Sequence, residues 1–271
     1  MKSQIELAID SKLIEKVGSF NLKGFALKGL KLLLSNDEIQ FSQEFANTVS
    51  IIRLGYNDHG PVHMRKVTQS AVLMIDLLRK AGIKTTLEND GCGDFEDSLL
   101  SVIIAAMFHD VGMVMGRQNH EFHSTIISYP IIDQVLKEVY QNNLHKRVMV
   151  RSVALEGIAG HMGTITISSL EAGIVQIADG CDMTKGRARI PIALGHAPRV
   201  GHIHQYSANS IEEVCIKSGD EKPIRIDVNM SSEVGLFQVE EVLMHKISGS
   251  TAKQHIELYA NVINGIERRY L

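Results

Sequence analysis

The chain is poor in cysteine, has no tryptophan and carries no marked excess of either charge. Its three cysteines, Cys92, Cys181 and Cys215, are scattered over 271 residues without a CxxC pair, so neither a disulfide framework nor a zinc knuckle is indicated. The formal net charge of −3 gives no electrostatic reason to expect a nucleic acid or an anionic membrane as partner. The absence of tryptophan contrasts with 12 histidines, a bias that suggests metal chemistry.

Long apolar runs are also missing. The first ten residues, MKSQIELAID, contain no apolar signal core. No run approaches the roughly 18 apolar residues that are needed to span a bilayer. We therefore expect a soluble, cytoplasmic protein with reduced thiols. These features leave open whether it forms a homo-oligomer.

Residues 1–200 have mostly helical patterns. Apolar residues at steps of four, three and four predict the buried face of a helix that ends near Gly82. The polar, glycine-rich segment KTTLENDGCGD is expected to form a surface loop. Asp94 can then cap a helix that runs through Phe108. Because this helix is apolar on nearly all sides, we place it in the centre of the core.

Further helices are predicted on both sides of a proline. One is expected over 119–128, and Pro130 either interrupts it or starts the next helix. Another is expected over about 146–160. Ser168 and Glu171 have the spacing of a capping box that would open the helix after it.

The pattern changes after about residue 205. Two β-rich runs, Ile211–Lys217 and Ile224–Val228, are joined by the turn sequence SGDEKP. An amphipathic helix over Val234–Lys246 and a strand over His255–Val262 follow. The order β-β-α-β predicts a small α+β appendage on a mainly α protein. The expected domains are a helical one over 1–205 and an α+β subdomain over 206–271.

A histidine and an aspartate stand side by side at the end of the apolar helix, at His109 and Asp110. Adjacent side chains on a helix point about 100° apart, so both can coordinate one metal ion only at a helix end. The imidazole supplies a nitrogen, and the carboxylate supplies an oxygen or a bridge between two ions. Such a mixture suits Fe, Mn, Zn or Co.

Other histidines stand at helix-compatible spacings. His63 is expected to face inward, whereas His59, four residues earlier, is either a second ligand or a polar cap residue. Of His120 and His123 we favour His120 as the ligand. His123 is then an alternative ligand or a group that orients the site. In a third interpretation, His120 and His123 both face the solvent. His161 lies between glycines that permit close approach of the backbone to a ligand.

Two aspartates and a cationic run complete the candidates. Asp179 directly follows an apolar turn, and a buried aspartate needs a cation or several donors, so it is either a ligand or strongly salt-bridged. Asp182 shares its face and would bind substrate or hold a histidine. Lys185, Arg187 and Arg189 occupy alternate positions. Beside a metal site they suit phosphate oxygens, although such a run alone is more often a solvated face.

The order of these residues resembles that of a known superfamily. His63, the doublet His109-Asp110 and Asp179 follow the H…HD…D order of the HD-domain metal-dependent phosphohydrolases. FHDVG is similar to their HDIG element, and IADGCDMTKGRAR is similar to the segment that bears their last aspartate. The resemblance spans about Tyr56–Arg189 and implies a helical HD-domain bundle with the site between helices.

The additional histidines make the chain more similar to the bimetallic, HDIG-type branch. In that branch, further ligands correspond to His120 and His161, and an occasional extra one corresponds to His59. The chain differs from HD-GYP cyclic-dinucleotide phosphodiesterases, because Met113 replaces their lysine and there is no GYP tripeptide. Cyclic di-GMP is therefore not implied as a substrate.

The resemblance implies hydrolysis of a phosphodiester or phosphomonoester, with a nucleotide-like or cyclic phosphate small molecule as substrate. Two divalent ions are expected, Fe or Mn first, with Zn, Co, Ni or Mg as alternatives. Asp110 would bridge them, and Lys185 and Arg187 would neutralise charge on the phosphoryl oxygens. Two other functions stay open: a regulatory module that binds metal or nucleotide, and a di-iron oxygenase.

Overall fold

A computed structural model describes residues 2–184, 203–263, 265 and 267–271. Up to residue 184 the described chain is helical. The helices are α1 (Gln4–Gly18), α2 (Phe25–Leu34), α3 (Asp37–Thr48), α4 (Pro61–Lys80), α5 (Thr86–Asn89), α6 (Phe95–Phe108), α7 (His120–Tyr140), α8 (Leu144–Gly160) and α9 (Leu170–Cys181). A π-helical turn, Val49–Arg53, follows α3, and a 3-10 turn, Val111–Met115, follows α6.

Helix α6 forms the centre of the bundle, as its apolar sequence predicts. All of its residues are buried, and α2, α4, α8 and α9 surround it. Asp94 is its N-cap and accepts hydrogen bonds from the N–H groups of Glu96 and Asp97. Within the described ranges, the stretch Phe95–Met115 alone is long and apolar enough to cross a membrane, but 89% of its apolar window is buried inside the protein. Its composition is therefore that of a core helix.

Three local predictions were wrong. The loop predicted after Gly82 contains α5, which Thr85 and Glu88 cap reciprocally. Pro130 lies inside the continuous helix α7, because Ile131 and its neighbours pack into the core. Helix α9 is capped by Ser169, and the expected capping box with Ser168 is absent from it.

The reason for the last error is a tertiary contact. Glu171 does not turn back to the start of its own helix, α9. Its carboxylate accepts hydrogen bonds from the N–H groups of Thr86 and Leu87 and from the hydroxyl of Ser98. Glu171 therefore joins α9 to α5 and α6, a role that spacing within one helix does not reveal.

The C-terminal unit, the described residues from 203 onward, is a four-stranded sheet with short helices. It contains α10 (Ile203–Ser210), β1 (Ile211–Lys217), β2 (Ile224–Met230), α11 (Met244–Ser248), β3 (Ile256–Val262) and β4 (Glu267–Arg269). The strand order is β1-β2-β3-β4. The central pair β2–β3 is parallel, and the outer pairs are antiparallel.

The sequence predicts the first three strands and the succession β-β-α-β along the chain, but not their arrangement in the sheet. The amphipathic segment between β2 and β3 is less regular than predicted: a 3-10 turn, Glu233–Gly235, and a π-helical turn, Gln238–Leu243, precede α11. Strand β4 was not predicted, because it has three residues, all charged and exposed. Buried side chains form one continuous cluster from the bundle into the sheet. The division at residue 205 stays a prediction.

A buried arginine, Arg65, ties the N-terminal helices to α4. Its Nε donates to Asp10 of α1 at 2.7 Å. Its other nitrogens donate to the amide oxygens of Gln40 and Gln43 of α3, at 2.9 and 3.0 Å. A buried guanidinium requires such a complete set of acceptors. Arg65 lies two residues from His63 and thereby fixes the start of α4 against α1 and α3.

Candidate metal centre

Six buried or nearly buried side chains converge between the helices in two groups that could each hold a metal ion. The first group is His63, His109, Asp110 and Asp179, and the second is Asp110, His120 and His161. Within each group the candidate ligand atoms lie within 4.8 Å of one another. Asp110 belongs to both groups.

Four imidazole rings are held in one protonation pattern. In His109, His120 and His161, Nδ1 contacts the main-chain carbonyl of the residue three positions earlier, at 2.9, 3.0 and 2.7 Å. In His63, Nδ1 contacts the Asp182 carboxylate at 2.7 Å. A carbonyl oxygen only accepts, so Nδ1 must carry the hydrogen. A neutral ring then presents the lone pair of Nε2.

The Nε2 atoms face each other in pairs. The distance is 3.1 Å between His63 and His109 and 3.2 Å between His120 and His161. Two lone pairs at such distances repel, and a cation that both can bind removes the repulsion. Imidazole nitrogens with carboxylate oxygens form a donor set typical of divalent Fe, Mn or Zn. The residues therefore fit a divalent metal centre.

Asp110 divides its two oxygens between the groups. Oδ2 lies 3.2 Å from Nε2 of His63 and 3.3 Å from Nε2 of His109. Oδ1 lies 3.1 Å from Nε2 of His120 and 3.4 Å from Nε2 of His161. This is the arrangement of a carboxylate that can bridge two ions.

Asp179 faces the first group with one oxygen only. Its Oδ1 lies 3.2 Å from Nε2 of His63 and 3.6 Å from Nε2 of His109. Its Oδ2 accepts a hydrogen bond from Nζ of Lys246 at 2.5 Å. The sequence left open whether Asp179 is a ligand or a salt-bridged carboxylate. The two interpretations are compatible, because Oδ2 forms the salt bridge and Oδ1 faces the histidines.

The electrostatic surroundings favour a cation between the rings. Burial opposes ionisation of Asp110 and Asp179, but His109 and His59 near the former, and Lys246 near the latter, hold both carboxyl pKa values well below their usual range. Burial lowers the pKa of His161 to about 4, so this ring is neutral at pH 7. Burial also opposes a charge on His109, yet Asp110 raises its pKa overall.

Gly112, two residues after the doublet, allows α7 to approach. A Cβ atom built at Gly112 would lie 2.0 Å from the carbonyl oxygen of His120. The hydroxyl of Ser124 donates to the carbonyl of His109 at 2.7 Å and accepts from the N–H of Gly112 at 2.8 Å. Through these contacts the end of α6 meets the first turn of α7, which brings His120 to Asp110.

Two predicted candidates, His59 and His123, lie outside both groups. Helix α4 begins at Pro61, so His59 precedes it and does not share the helical face of His63. The Nδ1 atom of His59 instead lies 2.6 Å from the carbonyl of Asn57. His123 lies one turn further along α7 than His120. Its Nδ1 atom is buried and has no hydrogen-bond partner within the described residues, and its role as a ligand or as a group that orients the site stays a prediction.

Asp182 adopts the second of its two predicted roles. Its Oδ2 holds Nδ1 of His63, and its Oδ1 lies 3.6 Å from Nζ of Lys66. The predicted phosphate-binding residues Lys185, Arg187 and Arg189 lie outside the described residues.

The site contains cations that sequence reasoning missed. Arg117 precedes His120 by three residues, and its guanidinium lies 3.4 Å from Nε2 of His59. Its position in the segment GRQNHEFH, between two predicted ligands, was a usable signal. Lys246 follows Asp179 by 67 residues, and local spacing holds no signal for such a contact.

An Asp182→Ala variant should bind Mn²⁺ about 10- to 100-fold more weakly than the wild type, because partners that orient a ligating imidazole typically contribute this much. Isothermal titration calorimetry on protein stripped of metal measures the dissociation constant. Asp90→Ala, in the exposed turn after α5, is the control and should bind as the wild type does. Equal affinity in the two variants would show that Asp182 does not orient His63.

Comparison with known proteins agrees with this geometry. The family model of the HD domain matches residues 62–184, a range that contains all six side chains of the two groups. An uncharacterized protein of Methanocaldococcus jannaschii is 40% identical over 230 residues, which are 85% of this chain and 86% of the relative. No solved structure matches the chain. The sheet and Lys246 lie beyond the matched range.

Proposed function

Since the chain belongs to the HD-domain metal-dependent phosphohydrolase superfamily, we propose that it hydrolyses a phosphoester of a small molecule with the aid of two divalent ions. The substrate class is a phosphodiester or phosphomonoester, nucleotide-like or cyclic. Fe or Mn suits the donor set best. When bound, such ions lower the pKa of water towards neutrality and polarise phosphoryl oxygens.

The position of Asp110 carries the proposal. Its two oxygens lie between two pairs of imidazoles whose Nδ1 atoms are all occupied. His63, His109 and Asp179 would hold one ion with Asp110, and His120 and His161 would hold the other. Nearly complete burial of the six side chains limits access of bulk water and strengthens their electrostatic effect on a bound phosphate.

Arg117 supports the choice of a phosphoester as substrate. Two contacts are found for its guanidinium in the described part of the chain: Nε2 of His59 at 3.4 Å and Sδ of Met162 at 3.7 Å. Neither is a carboxylate, so the positive charge is not neutralised there. A guanidinium beside a metal centre matches phosphate oxygens in charge and geometry. Lys185 and Arg187 stay proposed partners of the same phosphate.

The direct test is hydrolysis by the metal-loaded protein. Bis-p-nitrophenyl phosphate and p-nitrophenyl phosphate, each with Mn²⁺ or Fe²⁺, report diesterase and monoesterase activity. We expect p-nitrophenol release that stops on chelation and returns with metal. Metal binding without hydrolysis of any phosphoester would contradict the proposal and favour a regulatory module. Oxygen consumption by the protein loaded with reduced iron would favour an oxygenase.

Replacement of Arg117 by methionine should raise KM for the hydrolysed ester roughly 10- to 150-fold, because a hydrogen bond to a charged group is worth about 1.5–3 kcal/mol. Steady-state kinetics of the Mn²⁺ form provide the measurement, and metal content should not change. Arg53→Met, at an exposed arginine stacked on Phe45, is the matched control. An unchanged KM in the Arg117 variant would exclude a phosphate contact.

A further inference from the structure

The C-terminal unit is seated directly on α9, the helix that bears Asp179. The hydroxyls of Ser250 and Thr251 donate to main-chain carbonyls in the first turns of α9, at 3.0 and 2.7 Å. Two glycines of α9, Gly173 and Gly180, lie seven residues apart and hence on one face of the helix. This face, which we call the seat, is in contact with α11 and the segments on either side of it.

The seat exists because both glycines lack a side chain. A Cβ atom at Gly173 would lie 2.3 Å from Oγ1 of Thr251. A Cβ atom at Gly180 would lie 3.0 Å from Cδ of Lys246. The hydrocarbon stem of Lys246 therefore passes over Gly180, and its ammonium reaches the far end of α9, where the metal centre lies.

The ammonium of Lys246 donates hydrogen bonds to two residues of the metal centre. Nζ donates to Oδ2 of Asp179 at 2.5 Å and to the main-chain carbonyl of His161 at 2.7 Å. Lys246 is 6% exposed. Two of the three N–H groups of the ammonium donate to these acceptors, and they hold the ammonium beside the candidate ligands. Asp179 belongs to the first metal group and His161 to the second, and Lys246 is in contact with a residue of each.

We propose that Lys246 is a positioning residue of the metal centre, through which the C-terminal unit holds Asp179 and His161 in place. It fixes Oδ2 of Asp179, so Oδ1 alone faces His63 and His109. It also anchors the end of α8, from which the His161 ring projects. The centre is then built from both parts of the chain. The inference rests on the proposed two-ion centre and not on the identity of the substrate.

The experiment compares Lys246→Met and Lys246→Arg with the wild type, all stripped of metal and then titrated with Mn²⁺ by calorimetry. The methionine variant should bind Mn²⁺ about 10- to 100-fold more weakly, the range typical of partners that orient metal ligands. Arginine keeps the charge and several donors and should restore part of the affinity. In the Mn²⁺-saturated protein, kcat should fall in the methionine variant while KM stays within about twofold.

Lys253→Met is the matched control, since Lys253 is an exposed lysine of the same unit and should leave affinity and kcat unchanged. If Lys246→Met does not give the wild-type circular dichroism spectrum, Lys246→Gln is titrated in its place. Wild-type Mn²⁺ affinity in a folded Lys246→Met or Lys246→Gln variant would overturn the inference, as would a wild-type protein that binds no divalent ion. A wild-type protein that binds Mn²⁺ but hydrolyses no phosphoester would overturn only the proposed function.

Discussion

An Asp110→Asn variant should lose phosphoester hydrolysis by more than about 100-fold and should not retain two metal ions. Asparagine keeps the shape of the side chain but replaces one carboxylate oxygen by an NH₂ group. That group would face Nε2 atoms of one histidine pair and cannot bind a cation. Loss of a direct ligand should exceed the 10- to 100-fold effect of losing an outer partner. Metal per chain by mass spectrometry and release of p-nitrophenol give the two readings.

The control for this variant is Asp90→Asn, which removes a charge from an exposed turn. It should keep both the metal content and the rate. The fold of Asp110→Asn is checked by circular dichroism, because a buried site can fail through misfolding alone. A folded Asp110→Asn protein that holds two ions, or that hydrolyses at the wild-type rate, would exclude the bridging role.

Replacement of Arg65 by methionine should lower the free energy of unfolding by about 3 kcal/mol, the lower end of the range for removing one partner of a buried charge pair, because Lys2 still pairs with Asp10. The variant leaves Asp10 without its guanidinium partner and Gln40 and Gln43 without a donor to their amide oxygens. Helices α1 and α3 lose the hydrogen bonds that this guanidinium donates to them from α4. Urea unfolding followed by circular dichroism measures the change.

Arg79→Met is the comparison for this effect. Arg79 lies near the other end of α4 and stacks on Phe95, a contact worth about 0.5–1 kcal/mol at an exposed site. We expect its variant to lose no more than that. If both variants unfold at the same urea concentration, Arg65 is not the tie between the N-terminal helices and α4.

The parts of the fold that the sequence predicts are those that local patterns determine. The period of apolar residues in α4, the uniform apolarity of α6 and the side chain of Asp94 are each sufficient for a helix or its start. The errors have the opposite origin. Glu171 matched a capping box by spacing, but a contact with α5 and α6 directs it elsewhere. A β4 strand of three charged residues has no pattern of its own.

The candidate site divides in the same way. The order of His63, the doublet and Asp179 predicts the first group, whereas helical spacing alone leaves both His120 and His123 as candidates for the second. The spacing of four between His59 and His63 suggests one helical face, but only if the helix already includes His59. Helix α4 begins at Pro61, and spacing alone does not reveal that start. Lys246 reaches the site because the C-terminal unit packs on α9. This contact joins segments that are distant in the sequence, so no local pattern predicts it.

The way in which the imidazoles are held also bears on how the site can change in evolution. Three rings are oriented by main-chain carbonyls, which every amino acid provides, so no single codon change at positions 106, 117 or 158 can delete those acceptors. The ring of His63 depends on the carboxylate of Asp182, which one codon change can remove. Random mutation should therefore disrupt the first metal group before the second. In proteins that have diverged from this one, the orientation of His120 and His161 should be retained longest.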